Sequence, residues 1–89
     1  MNSLGEYIHL KRKQSELTLQ EVADRVGLSK AYLSDLERGK RIGSPPVWRA
    51  LGEALECNAD VLAGMYALEA KYRAEQEWNT AKYSATKSR

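Results

Sequence analysis

Apolar side chains recur along this chain at helical spacing, not at the alternation of a strand. Leu4 and Ile8, with the stem of Lys11, share one face of a first helix expected from about Ser3 to Ser15. Ser3 is placed to cap it, and Glu6, three residues on, completes a capping box. Ser15-Glu16-Leu17-Thr18 breaks the pattern. Thr18 and Glu21 then repeat the box at the start of a second helix, with Leu19, Val22, Ala23 and Val26 on its apolar face. Gly27 ends that helix, because glycine takes the left-handed conformation cheaply. Ser29 caps a third helix backed by Tyr32, Leu33 and Leu36, and Gly39 closes it. Lys40 to Pro46 reads as a loop. Ser44 as N-cap and Pro45 at the first helical position open a fourth helix, with Trp48, Leu51 and Leu55 as its core stripe. Glu56-Cys57-Asn58 is the next break. A fifth helix is expected from Asn58 or Ala59 to about Trp78, and the polar, basic end from Asn79 to Arg89 is expected to fray. The class is all-α, five helices with the last one extended. Residues 3–65 form the domain and residues 66–89 a C-terminal helical extension and polar tail.

At 89 residues the chain is one domain, and with 43% hydrophobic and 29% charged residues it can bury a small core. It has no run of about 18 apolar residues, and its first ten residues lack a signal-peptide pattern. One cysteine, Cys57, and one histidine, His9, make neither an internal disulfide nor a metal site. A cytoplasmic setting without membrane contact, metal or cofactor is the expectation. A net charge of +2 is compatible with nucleic acid without arguing for it. No phosphate-loop glycine motif, His–Glu helix motif or cysteine pair is present, so a binding module is expected and not an enzyme.

The chemistry concentrates between Leu19 and Arg38. Ala23, four residues before Gly27, allows two helices to cross closely. Gly27 makes the turn, and Leu33 and Leu36 anchor the third helix on the second. Ser29, Lys30, Ala31, Ser34 and Asp35 are left on the outer face. A helix face of short polar residues with a lysine near its N-terminus fits a DNA major groove.

These residues resemble the phage-repressor helix-turn-helix family of Cro and C1 type, also called the XRE family. The resemblance rests on LGEYI, on LTLQEVADRVGLSKAYLSDLERGKR and on WRALGEALECNADVL, and runs without a gap from about Leu4 to Met65. It implies a five-helix lambda-repressor-like domain that binds double-stranded DNA, usually as a symmetric dimer. It assigns Ser29, Lys30, Ala31 and Asp35 to base edges: Lys30 to guanine, Asp35 to a cytosine amino group, Ala31 to a thymine methyl. It assigns Tyr32 to backbone or base, and Arg38, Lys40 and Arg41 to phosphates. Arg12 and Glu37 match an ion pair tying the first helix to the third. The family often has a phosphate-binding glutamine where this chain has Leu19, and Gln20 beside it is the candidate substitute.

The bland readings stand beside these. Lys30 is a base reader, a phosphate contact or a solvated charge. Asp35 faces DNA, where it rejects wrong bases, or pairs with Arg38 on the helix surface. Arg38, Lys40 and Arg41 are phosphate contacts or a solvated loop. Lys11 and Lys13 read as solvated, His9 as an exposed histidine, Trp48 as core and Cys57 as a buried small hydrophobe.

Past Asp60, Val61, Met65, Leu68 and Tyr72 follow heptad spacing, a stripe expected to begin on the core. Ala67, Ala70, Ala74 and Ala81 form a second stripe passing beside Trp78. Leu68, Tyr72 and Trp78, beyond the expected core, are candidate dimerisation residues. The alternative is a lone helix supported by alanine propensity and pairs such as Glu69–Arg73. The expected function is a transcriptional regulator, acting as a repressor on a palindromic operator as a homodimer. With no sensory domain expected, control would come from its concentration, autorepression or a protein partner. The rival readings are an antitoxin holding its toxin through the C-terminal extension, and an interaction module that has lost DNA binding.

Overall fold

The computed structural model describes residues 3–87, with side chains through Ala81. The elements are α1 (Leu4–Gln14), α2 (Leu19–Val26), α3 (Lys30–Glu37), α4 (Pro45–Ala54) and α5 (Ala59–Lys87), with no strand among the described residues. Short-range chemistry sets most of the helix starts. Ser3 and Glu6 form a reciprocal capping box on α1, and Thr18 and Glu21 form one on α2. The Ser29 hydroxyl accepts from the Tyr32 amide at 3.1 Å, and the Asn58 carboxamide oxygen accepts from the Val61 amide at 3.0 Å. Ser44 makes no such bond. Its helix begins with Pro45 and Pro46, which have no N–H to satisfy, and the Val47 amide donates to the Ser44 carbonyl instead of its hydroxyl.

One apolar cluster holds the helices together: Leu4 and Ile8 from α1, Val22 and Ala23 from α2, Leu33 and Leu36 from α3, Trp48 and Leu51 from α4 with Leu55 at its end, and Leu62 from α5. α2 packs on α3 and α4, α4 on α5, and α1 bridges α3 and α5. Two glycines permit close passage. A methyl at Gly5 would overlap the carbonyl oxygens of Leu36 and Glu37, the latter at 2.7 Å, so α1 lies directly on the end of α3. A methyl at Gly52 would fall 2.5 Å from Leu62 Cδ1, so α4 and α5 meet there. Among the described residues no helix is long and apolar enough to cross a membrane.

The structure corrects three expectations. α5 does not stop near Trp78 but continues to Lys87. Residues 79–87 contain alanine and lysine and neither glycine nor proline, so nothing local ends the helix. Of the end expected to fray, residues 88 and 89 lie outside the described residues. Val61 does not begin a core stripe: it is 45% exposed, and Leu62, one residue and about 100° further round, is the buried one. Leu62 fits the space above Gly52, and this docks α5 in that rotation. Cys57 is half-buried, not buried. Burial pushes its thiol above the ordinary value, against the smaller opposing effects of Lys11 and Tyr7.

Candidate nucleic-acid interface

The turn between α2 and α3 is fixed by backbone geometry. Gly27 adopts φ 73°, and its amide and that of Leu28 both donate to the Ala23 carbonyl. Val22, Ala23, Leu33 and Leu36 are buried, which fixes how α3 rolls on α2. Ser29, Lys30 and Ala31 are exposed, and Ser34 and Asp35 are half-buried. The Ser29 hydroxyl is engaged as the cap of α3.

Two hollows flank this face. Gln20 and Lys30 line one of about 570 Å³ together with Lys13, Thr18 and Leu19. The Gln20 carboxamide also donates to Asp24 at 2.8 Å, one turn along α2. Leu19 packs partly on the core. Tyr32, Lys40 and Arg41 line the second hollow, of about 410 Å³, with Gly43, Ser44 and Arg73. The structure thus brings together candidates from α2, α3 and the loop after α3. Arg38, the C-terminal cap of α3, is exposed and lines neither hollow.

The ion pair of Asp35 is with Arg41, at 3.3 Å, and not with Arg38. The Arg41 guanidinium also lies 5.8 Å from the centre of the Tyr32 ring. Arg41 therefore shields the one carboxylate on the outer face while remaining largely exposed.

Behind α3, Arg12 and Glu37 form a two-pronged pair. Arg12 Nε donates to Glu37 Oε2 at 2.7 Å and Nη2 to Oε1 at 3.0 Å. Arg12 Nη1 donates to the Leu17 carbonyl at 2.8 Å, so one side chain ties α1, the approach to α2 and α3 together. His9, read from sequence as merely exposed, joins the pair: its Nδ1 lies 2.8 Å from Glu37 Oε1. The same Nδ1 lies 3.3 Å from Arg12 Nη2, so a protonated Nδ1 donates to the carboxylate and an unprotonated one accepts from Arg12. The resemblance supplied Glu37 as the partner of Arg12, but not His9 as a third member.

Leu68, Tyr72 and Trp78 are 72%, 58% and 73% exposed. Leu68 and Tyr72 are one turn apart on one face. Trp78 is turned about 120° from Tyr72 by the helical repeat, so it does not share their stripe. The side of α5 toward the domain carries Leu62, Met65 and Tyr66, then Glu69, Ala70 and Arg73, all at least partly buried. The Glu69–Arg73 pair expected from the spacing forms, but the reach of Arg73 to the loop after α3 is what sequence reasoning missed. Arg73 donates to Glu69 one turn back, and also to the Gly39 carbonyl just past the end of α3.

The helix-turn-helix domain family matches residues 3–64. An uncharacterized HTH-type transcriptional regulator of Mycobacterium tuberculosis is 36% identical over 58 residues, 65% of this chain and 41% of its own. The immunity repressor protein of Bacillus phage phi105 is 30% identical over 84 residues, 90% of this chain and 58% of its own. The chain thus spans about two fifths to three fifths of the length of these relatives. Among solved structures, the P22 c2 repressor protein in complex with synthetic operator 9T superposes with a TM-score of 0.65 at 29% identity, covering 70% of this chain and 94% of that one. The chain belongs to the helix-turn-helix domain family, in its Cro/C1-type form.

Proposed function

We propose that this protein is a sequence-specific DNA-binding repressor that reads a palindromic operator as a homodimer. The observation that carries the reading is the outer face of α3, uncommitted to the core and flanked by two hollows that carry lysine and arginine. Lys30, Ala31, Ser34 and Asp35 meet base edges, with Ser29 at the entry to the helix. Gln20, Tyr32, Arg38, Lys40 and Arg41 meet phosphates on either side. On this reading Arg41 exchanges Asp35 for a phosphate, and Asp35 then accepts from a cytosine amino group and rejects bases that offer no donor. The similar P22 c2 repressor was solved on a synthetic operator, which supports the same use of the fold here.

One copy of α3 covers only a few base pairs. Two copies about 34–36 Å apart read successive major grooves on one side of the duplex. The exposed Leu68, Tyr72 and Trp78 of α5 support self-association. The same exposed residues favour a second reading, an antitoxin whose extension holds a toxin. Isolation with a second small protein in fixed ratio would favour it, and a stable homodimer alone would weaken it.

The test is selection of bound duplexes from a random DNA pool, with Lys30→Ala in parallel. Enrichment of a palindrome, altered at particular positions by Lys30→Ala, is expected. A lone half-site would remove the dimer geometry and keep DNA binding. No enrichment at moderate salt would remove the DNA reading.

A further inference from the structure

The loop after α3 carries Lys40 and Arg41 between two left-handed glycines, Gly39 at φ 76° and Gly43 at φ 72°. Glycine at both ends gives such a loop wide conformational freedom, so its shape depends on what pins it. Two side chains from outside the loop hold its carbonyls. The Trp48 indole N–H donates to the Ile42 carbonyl, and Arg73 Nη2 donates to the Gly39 carbonyl. Trp48 is a core residue, whereas Arg73 comes from α5, 34 residues along the chain from Gly39.

Arg73 is itself held. Its Nε donates to Glu69 Oε2 at 3.4 Å, and Glu69 Oε1 reaches the Leu4 amide at the start of α1 through a long contact of 3.5 Å. The Arg73 and Glu69 side chains are 30% and 20% exposed, so they lie against the domain and do not wave in solvent. A helix leaves its last carbonyls without intrahelical donors, and its C-terminal end favours a positive charge. The Gly39 carbonyl lies just past those of α3, so Arg73 brings its positive charge to that end of the helix, and beside it Lys40 and Arg41 line the same hollow.

We infer that Arg73 is a positioning residue: it holds the Gly39–Gly43 loop in the shape that aims Lys40 and Arg41 at phosphate, and so couples α5 to DNA binding. This rests on the reading of α3 as the DNA-reading helix. It adds a residue outside the helix-turn-helix and gives the domain-facing side of α5 a role distinct from that of Leu68 and Tyr72.

The test uses the full chain with Arg73→Met, which keeps the apolar stem and removes the donor, and Arg73→Lys, which keeps a charged donor. Amide hydrogen exchange is measured in the free protein, and affinity for the selected operator is measured over a range of salt. In Arg73→Met the Lys40 amide, which donates to the Asp35 carbonyl at 2.9 Å, is expected to lose protection while Leu33 and Leu51 keep theirs. Operator affinity is expected to fall about five- to tenfold, with a salt slope shallower by about one phosphate contact. Arg73→Lys is expected to recover most of both. In a Lys40→Ala, Arg41→Ala background, Arg73→Met is expected to have no further effect, because its contribution passes through those two side chains.

Unchanged exchange at Lys40 would overturn the inference. So would the same affinity loss in the background lacking Lys40 and Arg41, which would make Arg73 an independent contact. Loss of protection at Leu33 and Leu51 as well would place Arg73 in the scaffold and overturn it too. If the wild type enriches no DNA, the reading of α3 fails, while the exchange comparison still decides whether Arg73 holds the loop.

Discussion

α2 and the far part of α5 are both regular helix, but different physics maintains them. α2 is 8 residues long, closed by a capping box at one end and left-handed Gly27 at the other. Val22 and Ala23 are fully buried. A helix that short is unstable alone in water, so its neighbours create it. α5 is 29 residues long, and among its described side chains those that pack on the domain lie between Leu62 and Arg73. From Ala74 to Ala81 every residue is exposed. That stretch depends on the propensity of its own alanine, glutamate and glutamine residues, and on whatever covers it. Helix length therefore says little about anchoring. What separates the two is how many side chains are held from outside the helix. Substitutions near α3 and α2 should be costly to folding, and those late in α5 should not.

The largest loss is expected at the pair behind α3. Glu37→Ala leaves the Arg12 guanidinium, whose side chain is 8% exposed, without its carboxylate. Breaking a buried pair from one side costs about 3–5 kcal/mol, a large fraction of what a small domain has. Chemical denaturation measures this directly. A loss near zero would mean that Arg12 finds water or another acceptor, and the anchoring role would fall. Gly5→Ala comes next, at about 2–3 kcal/mol, because its methyl meets backbone oxygens that cannot rotate away. If Gly5→Ala were neutral, α1 would have to lift from α3 without penalty, contrary to the close packing seen there.

The caps occupy the middle of the scale. Thr18→Ala should cost about 1 kcal/mol, by removing the acceptor for the Glu21 amide. The reciprocal arm of this box titrates. The Thr18 backbone amide, then its side chain, hold the Glu21 carboxyl below its ordinary value, against a smaller opposition from desolvation and with a still smaller lowering by Arg25. A depressed folded-state value means the contribution is present above the unfolded value and lost as pH falls through the folded one. Glu21→Gln should therefore be less stable than wild type near neutral pH, with the gap closing as pH falls below the ordinary carboxylate value. Melting temperatures over an acid series test it, and a gap that widens toward acid would have the wrong sign.

The same division separates what the chain reveals about itself from what it conceals. Helix starts at Ser3, Thr18 and Ser29 were legible because a cap and its target amide lie three residues apart. The breaks at Glu16 and Glu56 were legible as breaks, but not their left-handed backbone, φ 57° and 54°, which glutamate does not advertise. Arg12 and Glu37 came from family resemblance, since 25 residues separate them. The rotation of α5 was misread because Val61, Leu68 and Tyr72 make as good an apolar stripe as the residues that dock. Only the space above Gly52 chooses Leu62 over Val61. On the interface, the outer residues of α3 followed from the anchoring leucines. The Asp35–Arg41 pair and the hold of Arg73 on Gly39 depend on how a loop returns, and local patterning carries no record of that.

The smallest effect on folding, and the sharpest use of the comparison, lies at Leu68 and Tyr72. Both project away from the core, so Leu68→Ser with Tyr72→Ser should change the stability of the dilute monomer by no more than about 0.5 kcal/mol. If a second copy covers these residues, the wild-type melting temperature rises with protein concentration by mass action, and that of the double variant does not. Duplexes selected by the variant should then carry single half-sites where the wild type enriches palindromes. Trp78→Ser should weaken association less, because Trp78 is turned about 120° from Tyr72 and cannot enter the same straight seam. Equal weakening by Trp78→Ser would require the partner to wrap around α5. A second copy lying along one face of the helix does not do that, whereas a chain folding onto the extension does, and the weight would pass to a different protein partner.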